Sequence, residues 1–188
     1  MVDLIGLHKH FILEHLKEGE VAVDFTMGNG NDTLFLSRTV GETGRVYAFD
    51  IQEAALDSTR ERLVSEGAPE NYTLICASHH RVKEFVGEPI KAGMFNLGYL
   101  PGSGKKAVTT LRETTMPAVE AAIELLAPDG VLIVAIYPGH EEGALEGDML
   151  REYFKTLSKY RICASEFRIL NSPTSPYFFL VEKTARKI

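Results

Sequence analysis

Two acids and two glycines in the first fifty residues are spaced as a ribose-bearing ligand would require. Asp24 ends the apolar run that begins at Val21, Gly28 and Gly30 follow with one residue between them, and Asp50 closes a second run, RVYAFD. Glycines just after a strand let the backbone turn through dihedrals closed to other residues, so the chain can approach a ligand closely. An acid at the end of the next parallel strand stands where a ribose diol is bound, and a carboxylate suits a diol because it only accepts hydrogen bonds.

The third glycine of the dinucleotide fingerprint is absent, and Thr33 stands in its place. This disfavours a nicotinamide-dependent dehydrogenase and favours a cofactor without a pyrophosphate, whose carboxylate could sit against the free N–H groups opening the next helix. S-adenosylmethionine carries a carboxylate, an amino group and a ribose. On this reading Asp24 receives the amino group, residues 28–30 lie against the methionine portion and Asp50 holds the ribose. Asp32 contacts the ligand or caps the helix. Ser78 and His79 follow the third strand, whose end faces the adenine.

FNLGYLPGSGKK ends the fourth strand and borders the same crevice. Asn96 with Tyr99 three residues on resembles the Asn-Pro-Pro-Tyr motif of methyltransferases that act on amino nitrogens, with Leu97 and Gly98 in place of the prolines. The resemblance implies two catalytic residues: Asn96, whose amide oxygen accepts a hydrogen from the amine, and Tyr99, whose ring flanks the target. A plain turn with Tyr99 packed in the core is the alternative. GSGKK fails the phosphate-loop pattern, because Tyr99 and Lys106 occupy the positions of its first glycine and its hydroxyl residue. Lys105 and Lys106 then read as substrate contacts to an RNA backbone, with solvated lysines as the alternative. Tyr137 and His140 of YPGH, after the fifth strand, are further substrate candidates. The six histidines show no ligand spacing, so no metal site is expected.

These residues need a sheet to bring them together. Apolar strand candidates at 21–25, 45–50, 72–77, 92–97 and 130–137 alternate with helical segments at 32–40, 53–66, 81–86, 108–127 and 141–159. Alternation of this kind predicts an α/β fold with helices on both faces of a mostly parallel sheet. RICASEFRIL and YFFLVEK, joined by NSPTSP without a helix, add an antiparallel hairpin and bring the strands to seven. Leu4, Leu7, Phe11, Ile12 and Leu16 recur at a helical period, so residues 4–18 form a helix packed on the sheet, ended by Gly19. Pro128 to Gly130 mark a turn before the fifth strand.

With 188 residues the chain is expected to be one domain over 1–188, with residues 1–19 as its N-terminal helix. A net charge of -6 argues against non-specific binding of long polyanions and leaves room for a local basic patch. No apolar run is long enough to span a bilayer, and His8, Lys9 and His10 interrupt the N-terminal apolar residues, so a cytoplasmic protein is expected. Cys76 and Cys163 lie in apolar strand-like runs and read as buried thiols without a disulfide.

DFTMGNGNDTLFL, GRVYAFDIQ, FNLGYLPG with Thr109 and Thr110, and YPGH occur in the order and spacing of a bacterial rRNA methylase family that includes the tRNA 5-aminomethyl-2-thiouridine methyltransferases. The chain resembles this family over nearly its whole length. GSGKK and NSPTSP depart from the usual glycine-glycine-aspartate-lysine and Asn-Asn-Pro-Pro segments. The resemblance implies a Rossmann-like class I methyltransferase that uses S-adenosylmethionine and methylates the aminomethyl group of the tRNA wobble uridine. It adds Thr26, Asn29, Asn31, Ile51 and Gln52 to the cofactor-binding residues. The implied partner is tRNA through its anticodon arm, with no membrane and with a homodimer left open. An rRNA or small-molecule substrate, a dehydrogenase and a non-catalytic nucleotide-binding module are the alternatives.

Overall fold

The computed structural model describes residues 3–98, 110–139 and 141–185. Seven strands form one sheet in the order β3-β2-β1-β4-β5-β7-β6. They are β1 (Val21–Asp24), β2 (Arg45–Asp50), β3 (Tyr72–Cys76), β4 (Ile90–Leu97), β5 (Leu126–Ile136), β6 (Ile162–Phe167) and β7 (Tyr177–Lys183). The first five run parallel. β7 runs antiparallel to both β5 and β6, which places the terminal hairpin at one edge. The chain moves outward from β1 to β3 and then crosses back to lay β4 on the other side of β1. The boundary between β1 and β4 is therefore the topological switch point, where open α/β sheets bind ligands at the strands' carboxyl ends.

The helices are α1 (Leu4–His15), α2 (Asn31–Val40), α3 (Glu53–Ser65), α4 (Val82–Phe85), α5 (Arg112–Leu125) and α6 (Glu141–Thr156), with a 3-10 turn at His79–Arg81. Successive strand side chains point to opposite faces, so a strand covered on both sides is apolar at every position. Ala92 and Met94 of β4 join Ile12, Leu16, Leu36 and Val40 in the layer beneath α1 and α2. Phe95 and Leu97 enter the opposite layer, beneath α5 and α6. There the Phe95 ring stacks on Phe25 with centroids 4.1 Å apart. Truncating Phe95 to alanine would open a cavity costing about 3–5 kcal/mol, and would loosen the strand that carries Asn96.

Three expectations need correction. Cys76 and Cys163 are free and exposed, because β3 and β6 are the two edge strands and each cysteine faces outward. Residues 128–130 do not precede the fifth strand. They form a bulge inside β5, where the register passes from Ile90↔Leu126 to Ala92↔Val131 and Asp129 takes a φ of 58°. Finally, α1 ends at His15 rather than at Gly19, since Leu16 is already extended. Among the described residues no helix is long and apolar enough to cross a membrane.

Candidate active site

The turn after β1 is fastened by the acids that flank it. Asp24 is fully buried. Its Oδ1 accepts from the Thr26 N–H at 3.1 Å and its Oδ2 from the Thr33 hydroxyl at 2.7 Å. Burial, and next the charge of Asp32, raise its pKa to about 7. Asp50 is half-buried at the end of β2 and accepts from the N–H of Gly28 at 3.2 Å and of Gln52 at 3.0 Å. Burial raises its pKa against the opposing pull of those N–H groups.

Gly28 and Gly30 both have positive φ, 50° and 77°, which is the reason for glycine at these two positions. α3 clamps the turn from outside: Thr59 donates to the Gly28 carbonyl at 3.1 Å, Ser58 to the Asn29 side chain at 3.3 Å, and Arg62 to the Asn29 carbonyl at 2.6 Å. A Cβ on Gly30 would meet Thr59 at 3.0 Å. Gly30 is also the N-cap of α2, and no side chain caps that helix, so Asp32 does not serve as its cap.

Asp32 instead faces β4. Its Oδ2 accepts from the Asn96 Nδ2 at 2.6 Å, and its Oδ1 pairs with the Lys9 ammonium of α1 at 3.1 Å. The Asn96 backbone N–H donates to the Thr26 hydroxyl at 2.7 Å, tying the end of β4 to the turn after β1. On the other edge of the amide, Asn96 Oδ1 accepts from the Tyr137 hydroxyl at 3.3 Å. Burial and the Asp32 charge raise the Tyr137 pKa, so its hydroxyl keeps its proton and acts as a donor.

A family model described as "Putative rRNA methylase" matches residues 46–183. The chain belongs to this family. A protein of Arabidopsis thaliana named tRNA (mnm(5)s(2)U34)-methyltransferase, chloroplastic, is 35% identical over 185 residues, which cover 93% of this chain and 67% of that protein. A Clostridium thermocellum structure of the same family description superposes with a TM-score of 0.93 at 37% identity, covering 97% of this chain and 98% of that chain. A Streptococcus mutans protein described as a methyltransferase and solved in complex with SAH superposes with a TM-score of 0.88 at 37% identity, covering 97% of this chain and 99% of that chain. The fold is that of the Rossmann-like methyltransferases, and the enzyme is a class I S-adenosylmethionine-dependent methyltransferase.

In this methylase the predicted residues divide by position. Asp24, Thr26, Gly28, Gly30, Asp32, Asp50 and Asn96 converge on the switch point, and Tyr137 joins them from the end of β5. Ile51 is 57% exposed beside Asp50 and Gln52. Asn29 turns toward α3, and Asn31 lines a groove between α1 and α2 together with Lys9 and Phe35. Ser78 Oγ is bonded to His80 Nδ1 at 2.8 Å. His79 is buried, with Nδ1 on the Phe25 carbonyl at 3.2 Å and Nε2 enclosed without a partner among the described residues. Burial lowers its pKa to about 4, so it stays neutral near pH 7. Tyr99, Lys105, Lys106 and His140 lie outside the described residues.

Sequence reasoning passed over Lys9, Thr59 and Arg62, whose partners lie 23, 31 and 33 positions away. It also passed over Glu146, a buried carboxylate on α6 that accepts from the hydroxyls of Thr110 at 2.8 Å and Thr115 at 2.5 Å. One signal for Glu146 was present: an acid on the buried face of an otherwise amphipathic helix.

Proposed function

We propose that this enzyme N-methylates the 5-aminomethyl group of the tRNA wobble uridine, converting a primary amine to a methylamine. The carrying observation is the setting of Asn96, a half-buried amide at the switch point whose NH2 edge is taken up by Asp32. Its oxygen is therefore the edge that can accept a hydrogen from an amine. The Arabidopsis relative's name supports the same target nucleoside.

The residues at the glycine turn fit a cationic donor. Asp32 and Asp50 flank the turn with acids, Asp50 stands at the strand end where a diol would be held, and Ile51 offers an exposed apolar face to a base. Residues 28–30 with Asn31 and Gln52 line the methionine and ribose portions in this reading, and Ser78 lies toward the adenine. Asp24, having no exposed surface, fastens the turn through Thr26 and Thr33 rather than touching the ligand. His79, enclosed in the same way, supports the Phe25 carbonyl. Bound S-adenosylmethionine supplies a methyl group on a sulfonium sulfur, and the electrons of the broken C–S bond return to that sulfur.

The chain's own residues prepare the amine. An aliphatic amine has an unperturbed pKa near that of lysine, about 10.4, so it must lose a proton before its lone pair can attack. The half-buried setting of Asn96, with the Tyr137 ring beside it, disfavours the charged form through desolvation. Asn96 Oδ1 then accepts one N–H of the neutral amine and holds the lone pair in line, so that most of the acceleration comes from positioning. Neither His79 nor Tyr137 is suited to take the proton, because one is enclosed with a lowered pKa and the other is already donating to Asn96. The proton leaves to water. Tyr99 flanks the uracil, while Lys105, Lys106 and His140 contact the RNA on the substrate side, in a loop base splayed from the anticodon arm.

The test is mass spectrometry of tRNA nucleosides from cells with and without the protein. Loss of the methylaminomethyl nucleoside with accumulation of its aminomethyl precursor is expected. An unchanged nucleoside profile contradicts this target.

A further inference from the structure

We propose that Asp32 and Lys9 are positioning residues that select which edge of the Asn96 amide meets the substrate. The inference rests on the role given to Asn96 above and extends the site to the N-terminal helix, which lies outside the 46–183 segment matched by the family model.

An asparagine side chain has a donating edge and an accepting edge that differ little in shape, so a free amide could present either one to an amine. Only the accepting edge aligns an amine lone pair. A carboxylate contains acceptors alone, so the amide edge facing Asp32 Oδ2 at 2.6 Å must be the NH2. The oxygen then points away from Asp32, where the Tyr137 hydroxyl at 3.3 Å occupies one lone pair and leaves the other.

Asp32 is itself held from both sides. Its side chain is 12% exposed, and the Lys9 ammonium takes Oδ1, so Oδ2 remains for Asn96. Lys9 also lies over the Phe35 ring of α2 at 5.0 Å, which orients the ammonium toward the start of that helix. α1 is a firm platform for this contact. Ile12 and Leu16 are buried in the core, His8 is buried with its ring edge-on to Phe178, and the His15 ring is bonded to the Asp129 carbonyl at 3.0 Å. A relay thus runs from Lys9 through Asp32 and Asn96 to Tyr137, joining α1, α2, β4 and the end of β5.

The test uses the full chain with tRNA carrying the aminomethyl nucleoside, and SAH as the binding probe. Asp32→Asn can donate as well as accept and so releases the amide. It should lower kcat about 10- to 100-fold, the size of one charge-assisted hydrogen bond, and change SAH affinity by less than about threefold. In an Asn96→Ala background the same substitution should cost nothing further, because its effect travels through the missing amide. Lys9→Met should lower kcat by roughly three- to tenfold, and Lys9→Arg should restore most of it. Melting temperatures accompany each variant, and if Asp32→Asn does not fold, the part-exposed Lys9 pair carries the test.

The inference is overturned if Asp32→Asn turns over like the wild type, if it loses SAH affinity as strongly as kcat, if its cost adds in full to that of Asn96→Ala, or if Lys9→Arg is no better than Lys9→Met. Wild-type turnover by Asn96→Ala alone overturns the reading of Asn96 itself. An inactive Asn96→Ala beside a fully active Asp32→Asn overturns only the positioning roles.

Discussion

The glycine turn after β1 and the end of β4 meet at one switch point, yet they are built in different ways. The turn is held by short-range bonds, Asp24 to Thr26 and Thr33, and by the reach of Asp50 from the adjacent strand to Gly28. Among the described residues the end of β4 is held at long range: Asn96 bonds to Thr26, Asp32 and Tyr137, which lie 70, 64 and 41 positions away. A cofactor pocket can be coded in one contiguous segment because the cofactor is constant and the backbone itself does much of the binding. A site that must aim a single amide has to be assembled from several elements at once.

If the two regions divide the work as proposed, their variants separate binding from turnover. Asn96→Ala should reduce kcat by about 100-fold or more while leaving SAH affinity within about threefold of wild type. Equal loss of both in steady-state kinetics and calorimetry would merge the two regions into one. Asp50→Ala should do the reverse, weakening SAH binding about 10- to 100-fold through loss of charge-assisted hydrogen bonds. Unchanged calorimetric affinity would remove Asp50 from the ribose.

Asp24 probes the turn through pH. Its folded pKa of about 7 lies above the ordinary 3.8, so between these values the folded protein keeps a proton that the unfolded chain has released. Its contribution therefore makes the fold progressively less stable as pH rises through that window, by on the order of 1.4 kcal/mol per pH unit, and is constant above it. Thermal melts across the window should show this slope in the wild type, and Asp24→Asn should flatten it. A wild-type slope that survives the substitution assigns it to another group. The smallest effect belongs to Tyr137→Phe, which removes one long hydrogen bond and should lower kcat by roughly two- to fivefold. A loss matching that of Asn96→Ala would recast Tyr137 as a proton-transfer group.

The same contrast explains what could be read from the residues. β2 falls at 45–50 as expected, and the other parallel strands and the terminal hairpin also appear where apolar runs meet turn residues; for central β4 and β5 the covering of both faces makes such runs unmistakable. The glycine turn and Asp50 were legible because one stretch of chain encodes them. The Lys9 to Asp32 contact was not, since a lysine on an amphipathic helix looks like any solvated charge until the fold brings its partner near. The outward-facing cysteines depend on which strands become sheet edges, and the bulge at Asp129 depends on the register between β4 and β5. Both are properties of strand order and pairing rather than of local composition.

The most direct measurement follows methyl transfer from labelled S-adenosylmethionine to two anticodon arms that differ only in the wobble uridine, one carrying the 5-aminomethyl group and the other lacking it. Label on the aminomethyl nitrogen of the first arm alone, abolished by Asn96→Ala, is the predicted result. Label on both arms, or on neither while an rRNA fragment accepts it, would contradict an amine held by Asn96 as the nucleophile.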